Sequence, residues 1–310
     1  MIIVEVGSIN MDLVVHLPRI PKPGETMMAT DFKTYAGGKG ANQAVAAARM
    51  GAKVHMVGCV GKDAFGIELR QQLIKEGITT DHVIERTDQA TGIALIQVDE
   101  KGQNSIAVAG GANLCLTEIN VTSALIEIGY FSTLVMPLET PLSVVYTAAS
   151  FAKEKGARVI LNPAPAIKLD EQLLKMVDVL VPNEHEIELI TGIDCRNDYG
   201  LQKAAATLFS LGPKTLVVTL GGRGAAIQSR EGKDVTYVPA FPVDPVDTTA
   251  AGDCFIGTLA VALTEGMGIE TAVQMANAAA ALSVTRKGAQ SSLPYRTELT
   301  RFLHERKMNQ

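Results

Sequence analysis

The segment Asp247-Thr248-Thr249-Ala250-Ala251-Gly252-Asp253 is small and polar, and an apolar stretch with helical spacing (Phe255, Leu259 and Leu263) follows it directly. Small side chains leave backbone N–H groups uncovered, and the first turn of a helix leaves its N–H groups without intrahelical partners. The helix dipole also favours negative charge at this end. The segment therefore predicts an anion-binding site at the start of a helix.

Asp253 adds a carboxylate beside this predicted anion site. Repulsion disfavours a carboxylate there unless it has a task, such as accepting a proton from an attacking hydroxyl group. An anion site and a base are the minimal requirements for moving a phosphoryl group onto an alcohol. The alternative is structural, because Asp is also a favoured helix N-cap, and this segment alone does not separate the two interpretations.

Length and composition predict a globular protein that forms one large α/β domain or a domain with an appendage; we expect a single domain spanning residues 1–310. The chain is 47% hydrophobic and 20% charged, which provides for a sizeable core. Its net charge of −5 and its lack of a long Lys/Arg block argue against a nucleic-acid partner. No apolar run approaches the ~18 residues of a membrane helix, and the N-terminus has the pattern of a strand rather than a signal peptide. We therefore expect no membrane association and a cytoplasmic location.

The cysteines are far apart in the sequence and show no metal-ligand spacing. They are Cys59, Cys115, Cys195 and Cys254. This pattern predicts reduced, partly buried thiols. Cys254 adjoins the predicted base, but the sequence offers no recognisable His partner that would make it a nucleophile.

Short β-branched runs that end in polar or glycine residues alternate with helical segments. The predicted strands are Ile2–Val6, Val54–Val57, Leu134–Met136, Val159–Leu161, Val179–Val181 and Leu216–Leu220. The predicted helices are Asn42–Met50, Ile67–Lys75, Leu142–Lys155, Leu201–Leu211 and Thr271–Thr285. This alternation predicts an α/β fold in which helices flank a three-layer, mostly parallel sheet. Ligands bind such sheets at the carboxyl ends of the strands.

Two segments depart from this alternation. Asp12–Ala36 contains a strand-like run and a Pro/Gly turn, and Gly92–Ala109 has the pattern of a β-hairpin. We expect these segments, 12–36 and 92–109, to form a small antiparallel β lid that projects from the main domain. Such an exposed sheet needs covering, by closure over a substrate or by another subunit.

Two N-terminal patterns suggest ligand contacts. Asn10 and Asp12 can point the same way from an extended segment, which suits the vicinal hydroxyls of a sugar, although a turn would use the same residues. The glycine-rich stretch 37–42 opens a helix but lacks the spacing of a P-loop or of a dinucleotide-binding fingerprint. For that stretch, a glycine turn without a ligand is a strong alternative.

Two further patterns are ambiguous by themselves. Asn183 and Glu186 at i and i+3 suit Mg²⁺, directly or through water, and suit a helix capping box equally well. The stretch 286–292 fits a helix C-terminus with basic residues and a glycine stop. Exposed carbonyl groups in that loop could also hold a monovalent cation, which spacing alone cannot show.

Together these residues resemble the ribokinase-like (phosphofructokinase-B type) carbohydrate kinases. Two long signatures, at residues 36–44 and 246–255, carry the resemblance, and it extends from Ile2 to about Pro294. Shorter matches lie at residues 7–12, 138–141, 162–165, 182–184 and 285–289. One position departs from the commonest signature, because Ala250 stands where many members have glycine.

The resemblance implies ATP-dependent phosphorylation of a sugar, with D-ribose and its 5-hydroxyl as the leading expectation. Asp253 would be the general base, and the amides of Ala250, Ala251 and Gly252 would form the anion hole. The sugar would be held by Asn10, Asp12, Gly38, Lys39, Asn42, Glu139 and Asp253. The resemblance leaves open a kinase for deoxyribose, fructose, ketodeoxygluconate or adenosine, and a non-catalytic sugar sensor. Intact Asp253 and Gly252 argue against the sensor.

The resemblance also implies the remaining sites. Residues around ATP and its Mg²⁺ would be Asn183, Glu186, Thr219, Gly221, Gly224, Gly252 and Asn277. A K⁺-like monovalent cation would be held by the Asp247 carboxylate, by Ser292 and by the carbonyls of Thr249, Ser283, Arg286 and Gly288. The β lid would pair two subunits into a homodimer.

Overall fold

A computed structural model describes residues 1–232 and 234–308 of the chain. These residues form the strands β1 Ile2–Val6, β2 Asn10–Leu17, β3 Asp31–Gly37, β4 Lys53–Gly61, β5 Thr79–Arg86, β6 Gly92–Asp99, β7 Asn104–Ala109, β8 Thr133–Met136, β9 Arg158–Leu161, β10 Val179–Leu180, β11 Thr215–Thr219, β12 Ala225–Ser229 and β13 Thr236–Val238. They form the α-helices α1 Lys39–Arg49, α2 Ala64–Lys75, α3 Glu118–Ile128, α4 Leu142–Glu154, α5 Glu171–Leu174, α6 Glu184–Thr191, α7 Asp198–Leu211, α8 Ala251–Thr264, α9 Ile269–Ser283 and α10 Arg296–Met308. Among the described helices, none combines the length and apolar character needed to cross a bilayer.

The main sheet has nine strands in the order β13-β12-β11-β10-β9-β8-β1-β4-β5. Among the described strands, all pairings from β11 to β5 are parallel, whereas β12 pairs antiparallel with both β11 and the edge strand β13. The predicted mostly parallel α/β sheet flanked by helices is confirmed. Parallel neighbours bring their carboxyl ends to one edge, which is where the loops carrying the polar residues lie.

Each face of the central strand β1 packs into a separate apolar cluster. Ile3 belongs to the cluster that contains residues of α1, α8 and α9. Val4 and Val6 belong to the cluster on the other face, with residues of α3 and α4. Strands covered on both faces read as continuous apolar runs, and Glu5 is the exception in this strand.

The small sheet has the order β3-β2-β6-β7. Its outer pairings, β2–β3 and β6–β7, are antiparallel, whereas the central pairing β2–β6 is parallel. All six residues of β7 are exposed. The parallel pairing arises because β2 and β6 both leave the carboxyl edge of the main sheet.

The sequence analysis gave no prediction for several elements that the structure contains. The strands β3, β5, β12 and β13 were missed, as were the helices α3 and α10. β5 shows why: it is half buried at the sheet edge, and its sequence TTDHVIER carries charged residues among the apolar ones. Burial on one face is decided by the neighbouring elements, and β propensity alone does not fix it.

Helix starts also differ from the apolar pattern. The predicted helix Leu201–Leu211 begins at Asp198, because the Asn197 side chain accepts a hydrogen bond from Gly200 N and caps the helix there. The predicted helix Asn42–Met50 begins at Lys39, with Gly38 at its N-cap. Polar first turns carry no apolar period, so the periodicity located these helices one turn late.

Candidate active site

Asp253 lies in the first turn of α8. Its carboxylate accepts hydrogen bonds from Asn42 Nδ2 and Gln43 Nε2 of α1, both at 2.9 Å. The N-cap of α8 is Ala250, and no side chain caps the helix. The N-cap interpretation of Asp253 is therefore wrong. Asp253 is 7% exposed, and two side-chain amides from α1 hold its carboxylate in place.

The start of α8 leaves backbone donors free. Ala250 has a φ of 58°, in the left-handed region. Among the described residues it is the only non-glycine residue with a positive φ. The amide of Ala251 turns back to Thr248 O at 3.3 Å. The amides of Ala250, Gly252 and Asp253 donate to no described residue. Of the three amides expected to bind an anion, two are thus free, and that of Asp253 is a further free donor.

Lys39 is a single cation among four carboxylates. Asp253, Glu139, Glu186 and Asp12 all act on it and together raise its pKa, with Asp253 contributing most. Burial raises the pKa of Asp253, while Lys39 and the two amides oppose that rise. Excess negative charge and low exposure thus make Asp253 a stronger base than a solvated aspartate.

Asp12 follows the same electrostatics. Burial, then the carboxylates of Glu139 and Asp253, raise its pKa to about 7, against the opposing effect of Lys39. Asp12 is 8% exposed, and its carboxylate accepts no hydrogen bond from the described residues. An acceptor of this kind, close to a base and open to a ligand, suits a hydroxyl donor.

Asn10 is fixed by a residue that the sequence analysis did not single out. Asn113 Nδ2 donates to Asn10 Oδ1 at 2.7 Å and to Ile9 O at 3.2 Å. Asn113 Oδ1 in turn accepts from Ile9 N at 2.9 Å. These hydrogen bonds from Asn113 fix the Asn10 side chain on β2, the strand that also carries Asp12. They leave Asn10 Nδ2 free to donate to a ligand. Asn113 lies in the short helical turn after the β6–β7 hairpin. In the sequence, its polar side chain was the only sign of a role.

The glycine-rich stretch lets three chain segments meet closely. Gly38 has a φ of 88°, and a Cβ atom there would lie 2.6 Å from Asn10 N. A Cβ atom on Gly40 would lie 2.6 Å from the backbone of Gly7. The same turn presents Lys39 N to Glu139 Oε2 at 3.3 Å. Ser8 Oγ also donates to Glu139 Oε2. The stretch therefore has a packing function whether or not it contacts a ligand.

Asn183 and Glu186 form the capping box that the sequence offered as one of two interpretations. Asn183 Oδ1 accepts from Glu186 N, and Glu186 Oε2 accepts from Asn183 N, both at 2.8 Å. Burial raises the pKa of Glu186, which Lys39 and the Asn183 amide oppose. The charge of Glu186 contributes to the raised pKa of Lys39, as that of Asp253 does.

The other residues expected around a nucleotide meet at the ends of β10, β11 and β13. Asn183 bridges to Thr219, so these two residues are neighbours. Gly221 lies in the turn that follows β11. A Cβ atom on Gly224 would lie 2.1 Å from Val238 O, the same carbonyl that accepts from Asn277 Nδ2 at 3.0 Å. The contacts thus join Asn183 to Thr219, and bring Gly224 and Asn277 to the same carbonyl group of Val238.

Asp247 ties the segment before α8 to the loop after α9. Its Oδ1 accepts from Thr249 N at 2.9 Å and its Oδ2 accepts from Gly288 N at 2.8 Å. Burial opposes ionisation of this carboxyl, but these hydrogen bonds and Lys287 outweigh it and lower its pKa. Asp247 is therefore a carboxylate at neutral pH.

The carbonyl groups expected to hold a cation divide into two kinds. Those of Thr249, Arg286 and Gly288 accept no hydrogen bond from the described residues, which fits oxygen ligands of a cation. Ser283 O accepts from Arg286 N at 3.1 Å. The Ser292 hydroxyl is fully buried and donates to Ala289 O at 2.8 Å. No group of three or more His, Cys, Asp or Glu side chains suited to a metal occurs among the described residues.

Cys254 adjoins the base but is inert. Burial raises the pKa of its thiol to about 12, so the thiolate needed by a nucleophile is absent at neutral pH. Described cysteines are all free thiols.

Gln43 and Asn162 also belong to this site, although the sequence analysis gave them no role. Gln43 Nε2 donates to Asp253 Oδ1 and, at 3.2 Å, to Asn162 Oδ1. Asn162 Nδ2 donates to Val181 O. Both residues lie inside stretches that carry the family resemblance, residues 36–44 and 162–165. The sequence does not reveal their contacts, because these join segments that are distant in the chain.

Comparison with known proteins gives the class. The family model described as pfkB family carbohydrate kinase matches residues 2–296. A Haemophilus influenzae protein named ribokinase is 45% identical over 297 residues, 96% of each chain. A Salmonella typhi protein named deoxyribokinase is 39% identical, covering 96% of this chain and 97% of its own. The structure of Arabidopsis thaliana ribokinase complexed with ribose and ATP is 35% identical, with a TM-score of 0.90 over 97% of this chain and 98% of that one. The chain belongs to the pfkB family of carbohydrate kinases.

Proposed function

We propose that this chain transfers the γ-phosphoryl group of ATP to the 5-hydroxyl of D-ribose, with Asp253 as the general base. The observation that carries the proposal is the Asp253 carboxylate, fixed by two amides beside the free N–H groups that open α8. The similarity of the chain to the ribokinases supports the choice of ribose as the substrate.

The base acts on a hydroxyl oriented by its neighbours. Asp12 and Asn10 hold the ring hydroxyls, which leaves the primary hydroxyl directed at Asp253. Asp253 takes its proton as the oxygen attacks phosphorus, and a raised pKa makes the carboxylate a better acceptor. Asn42 and Gln43 keep the carboxylate in place throughout.

The charge that develops on the transferring group is stabilised by this chain's own donors. The amides at residues 250, 252 and 253 are free to donate to an anion, and Lys39 would add a positive charge to the same site. The amide of Ala251 joins them only if its 3.3 Å contact with Thr248 O opens when ligands bind.

ATP and Mg²⁺ fit the region beside α8. Asn183, Thr219, Gly221, Gly224 and Asn277 would border the nucleotide. Glu186 would face the metal, directly or through water, and its Oε1 makes no hydrogen bond to a described residue, which fits that role. Bound Mg²⁺ neutralises charge on the phosphate groups.

A monovalent cation fits the loop that carries Asp247. The free carbonyls of Thr249, Arg286 and Gly288 and the Asp247 carboxylate provide hard oxygen ligands. Ser283 and Ser292 are buried beside them and would complete the cradle. Such a cation would order the segment that leads into the free amides without touching substrate.

The small sheet is proposed to be a lid that also pairs two chains in a cytoplasmic homodimer. Phe32, Leu95, Ile106 and Val108 are all about half exposed on it, which favours coverage by another surface. In sedimentation, Ile106→Asp should be a monomer. In steady-state kinetics, its KM for the sugar should be raised. The matched control is Ile126→Asp on α3, which is 65% exposed outside the sheet and should leave the dimer intact.

Deoxyribose is the second candidate substrate, since one relative is named deoxyribokinase. Ribose would still be preferred if the site hydrogen-bonds its 2-hydroxyl, because such sites reject an analogue without the hydroxyl by about 10⁴- to 10⁵-fold. A nucleoside is less suited, because Phe32 and Tyr35 are the aromatic residues that the lid strands offer for a base.

The test is release of ADP from Mg²⁺-ATP in K⁺ buffer with ribose, deoxyribose, fructose, ketodeoxygluconate and adenosine. The proposal predicts the highest kcat/KM for ribose. A higher kcat/KM for another acceptor would contradict the assignment of ribose as the substrate, while the assignment of kinase activity would stand. Sugar binding without turnover of any acceptor would favour the sensor.

A further inference from the structure

Glu5 is a carboxyl group at the centre of the main sheet. It is 1% exposed, and its strand neighbours in register are Met56 of β4 and Val135 of β8. Its Oε1 has no hydrogen-bond partner among the described residues. An ionised carboxylate in such surroundings is strongly disfavoured, so the group requires an explanation that packing does not give.

The side chain of Glu5 lies on the same face of β1 as Ile3, the face that packs against α1. Gly7, two residues later on the same face of β1, lies so close to α1 that a Cβ atom there would be 2.7 Å from Gly40 Cα. α1 leads into β4, which is parallel to β1, so the helix runs back along β1 in the opposite direction. One turn after Gly40, Gln43 therefore faces Glu5.

Gln43 has an unmet requirement that complements Glu5. Its Nε2 supplies the hydrogen bonds to Asp253 and Asn162. Its Oε1 is buried and accepts no hydrogen bond from the described residues. If the Gln43 amide were flipped, its oxygen would face the acceptor oxygens of Asp253 and Asn162. A donor to Oε1 would therefore fix the orientation in which Nε2 donates to Asp253.

We propose that Glu5 is a neutral carboxylic acid that donates its proton to Gln43 Oε1, and thereby positions the amide that holds Asp253. The inference rests on the proposed function, in which Asp253 is the base. It makes Glu5 a positioning residue, because it acts on the reaction through Gln43.

The surroundings of Glu5 keep the acid neutral. Burial, and then the charge of Asp253, raise its pKa well above the usual value. The neighbours on β4 and β8 are Met56 and Val135, and α1 contributes Gln43 and alanines such as Ala44. The titratable group that acts on Glu5 from α8 is thus Asp253, and it favours protonation.

The kinetic test compares Glu5→Gln with Glu5→Val. Gln keeps a neutral donor, whereas Val keeps the strand and removes it. We expect Glu5→Val to lower kcat five- to fifty-fold, with the sugar KM within twofold, and to move the acid limb of kcat/KM to higher pH. Glu5→Gln should restore both. Equal kcat in Glu5→Val and wild type, or failure of Glu5→Gln to restore it, would overturn the proposal.

A second readout does not depend on turnover. The side-chain amide protons of Gln43, observed by ¹⁵N NMR, should exchange slowly with solvent in the wild type and Glu5→Gln, and at least tenfold faster in Glu5→Val. Unchanged exchange in Glu5→Val would overturn the inference. If Asp253→Asn kept its turnover, the proposed base would fall, while this amide measurement would still decide the Glu5–Gln43 hydrogen bond.

Discussion

Asn42 Nδ2 donates to Asp253 Oδ2 at 2.9 Å, a contact between residues 211 positions apart in the chain. It joins the glycine-rich stretch that opens α1 to the segment that opens α8. Since Gln43 of the same turn holds the other carboxylate oxygen, the two long signature stretches meet at one carboxyl group. The sequence analysis assigned Asn42 to the sugar, and that role stays a prediction beside this observed contact.

Replacing K⁺ should reveal the proposed cation site. With Na⁺ or tetramethylammonium in place of K⁺, we expect kcat to fall by at least about tenfold, or ~1.4 kcal/mol in the barrier. The reason is that the Asp247 loop would lose its central ligand and the free amides of α8 would lose their order. Steady-state rates at constant ionic strength measure this. Asp247→Asn should be slow in every salt, and an equal wild-type rate in all three salts would contradict the site.

The raised pKa of Asp12 predicts a pH-dependent cost in stability. The folded pKa of about 7 exceeds the usual 3.8, so the folded protein binds the proton more tightly than the unfolded chain. Stability is therefore lost as pH rises from about 4 to 7. The shift corresponds to at most roughly 4–5 kcal/mol at ~1.4 kcal/mol for each pKa unit.

Asp12→Asn should remove this cost. Its free energy of unfolding in urea should exceed that of the wild type at pH 8 and approach it near pH 4. Asp244→Asn, at an exposed position, is the matched control and should follow the wild type at both values. A constant difference between Asp12→Asn and wild type across this range would contradict the assigned ionisation.

Ala250 and its neighbour should respond oppositely to glycine. At φ 58°, an alanine is strained by about 1–2 kcal/mol, and glycine relieves this at an entropic cost of roughly 0.5–1 kcal/mol. Ala250→Gly should therefore raise the free energy of unfolding by about 0.5–1 kcal/mol. Ala251→Gly, inside the helix, should lower it by up to ~1 kcal/mol. Thermal unfolding of both variants checks this, and a shared sign would contradict the strain.

Local patterns in the sequence were sufficient for the main architecture. Buried parallel strands such as Ile2–Val6 are mostly apolar, and this strand was located to the residue although it contains Glu5. The strand β3 was missed because four of its seven residues are exposed, and it is held by its register with β2. The parallel pairing of β2 with β6 depends on how two distant segments leave the main sheet, which no local pattern contains.

The site was predictable where chemistry follows from residue type and spacing. Asp253 and the amides before it were visible as a base beside an anion site. The amide of Ala251, bent back to Thr248, was not, since the left-handed turn at Ala250 is a backbone conformation that the sequence does not specify. Gln43, Asn113 and Asn162 act through contacts over about a hundred residues or more, which only the fold creates.

Asp253→Asn tests the central claim most directly. The amide keeps the shape of the side chain but cannot accept the proton of the sugar hydroxyl. The account predicts a loss of about 10²- to 10⁴-fold in kcat for ribose, while calorimetry shows ribose binding within a few-fold of the wild type. Cys254→Ala, one residue further on, should keep its turnover. Wild-type turnover by Asp253→Asn would contradict the assignment of Asp253 as the base.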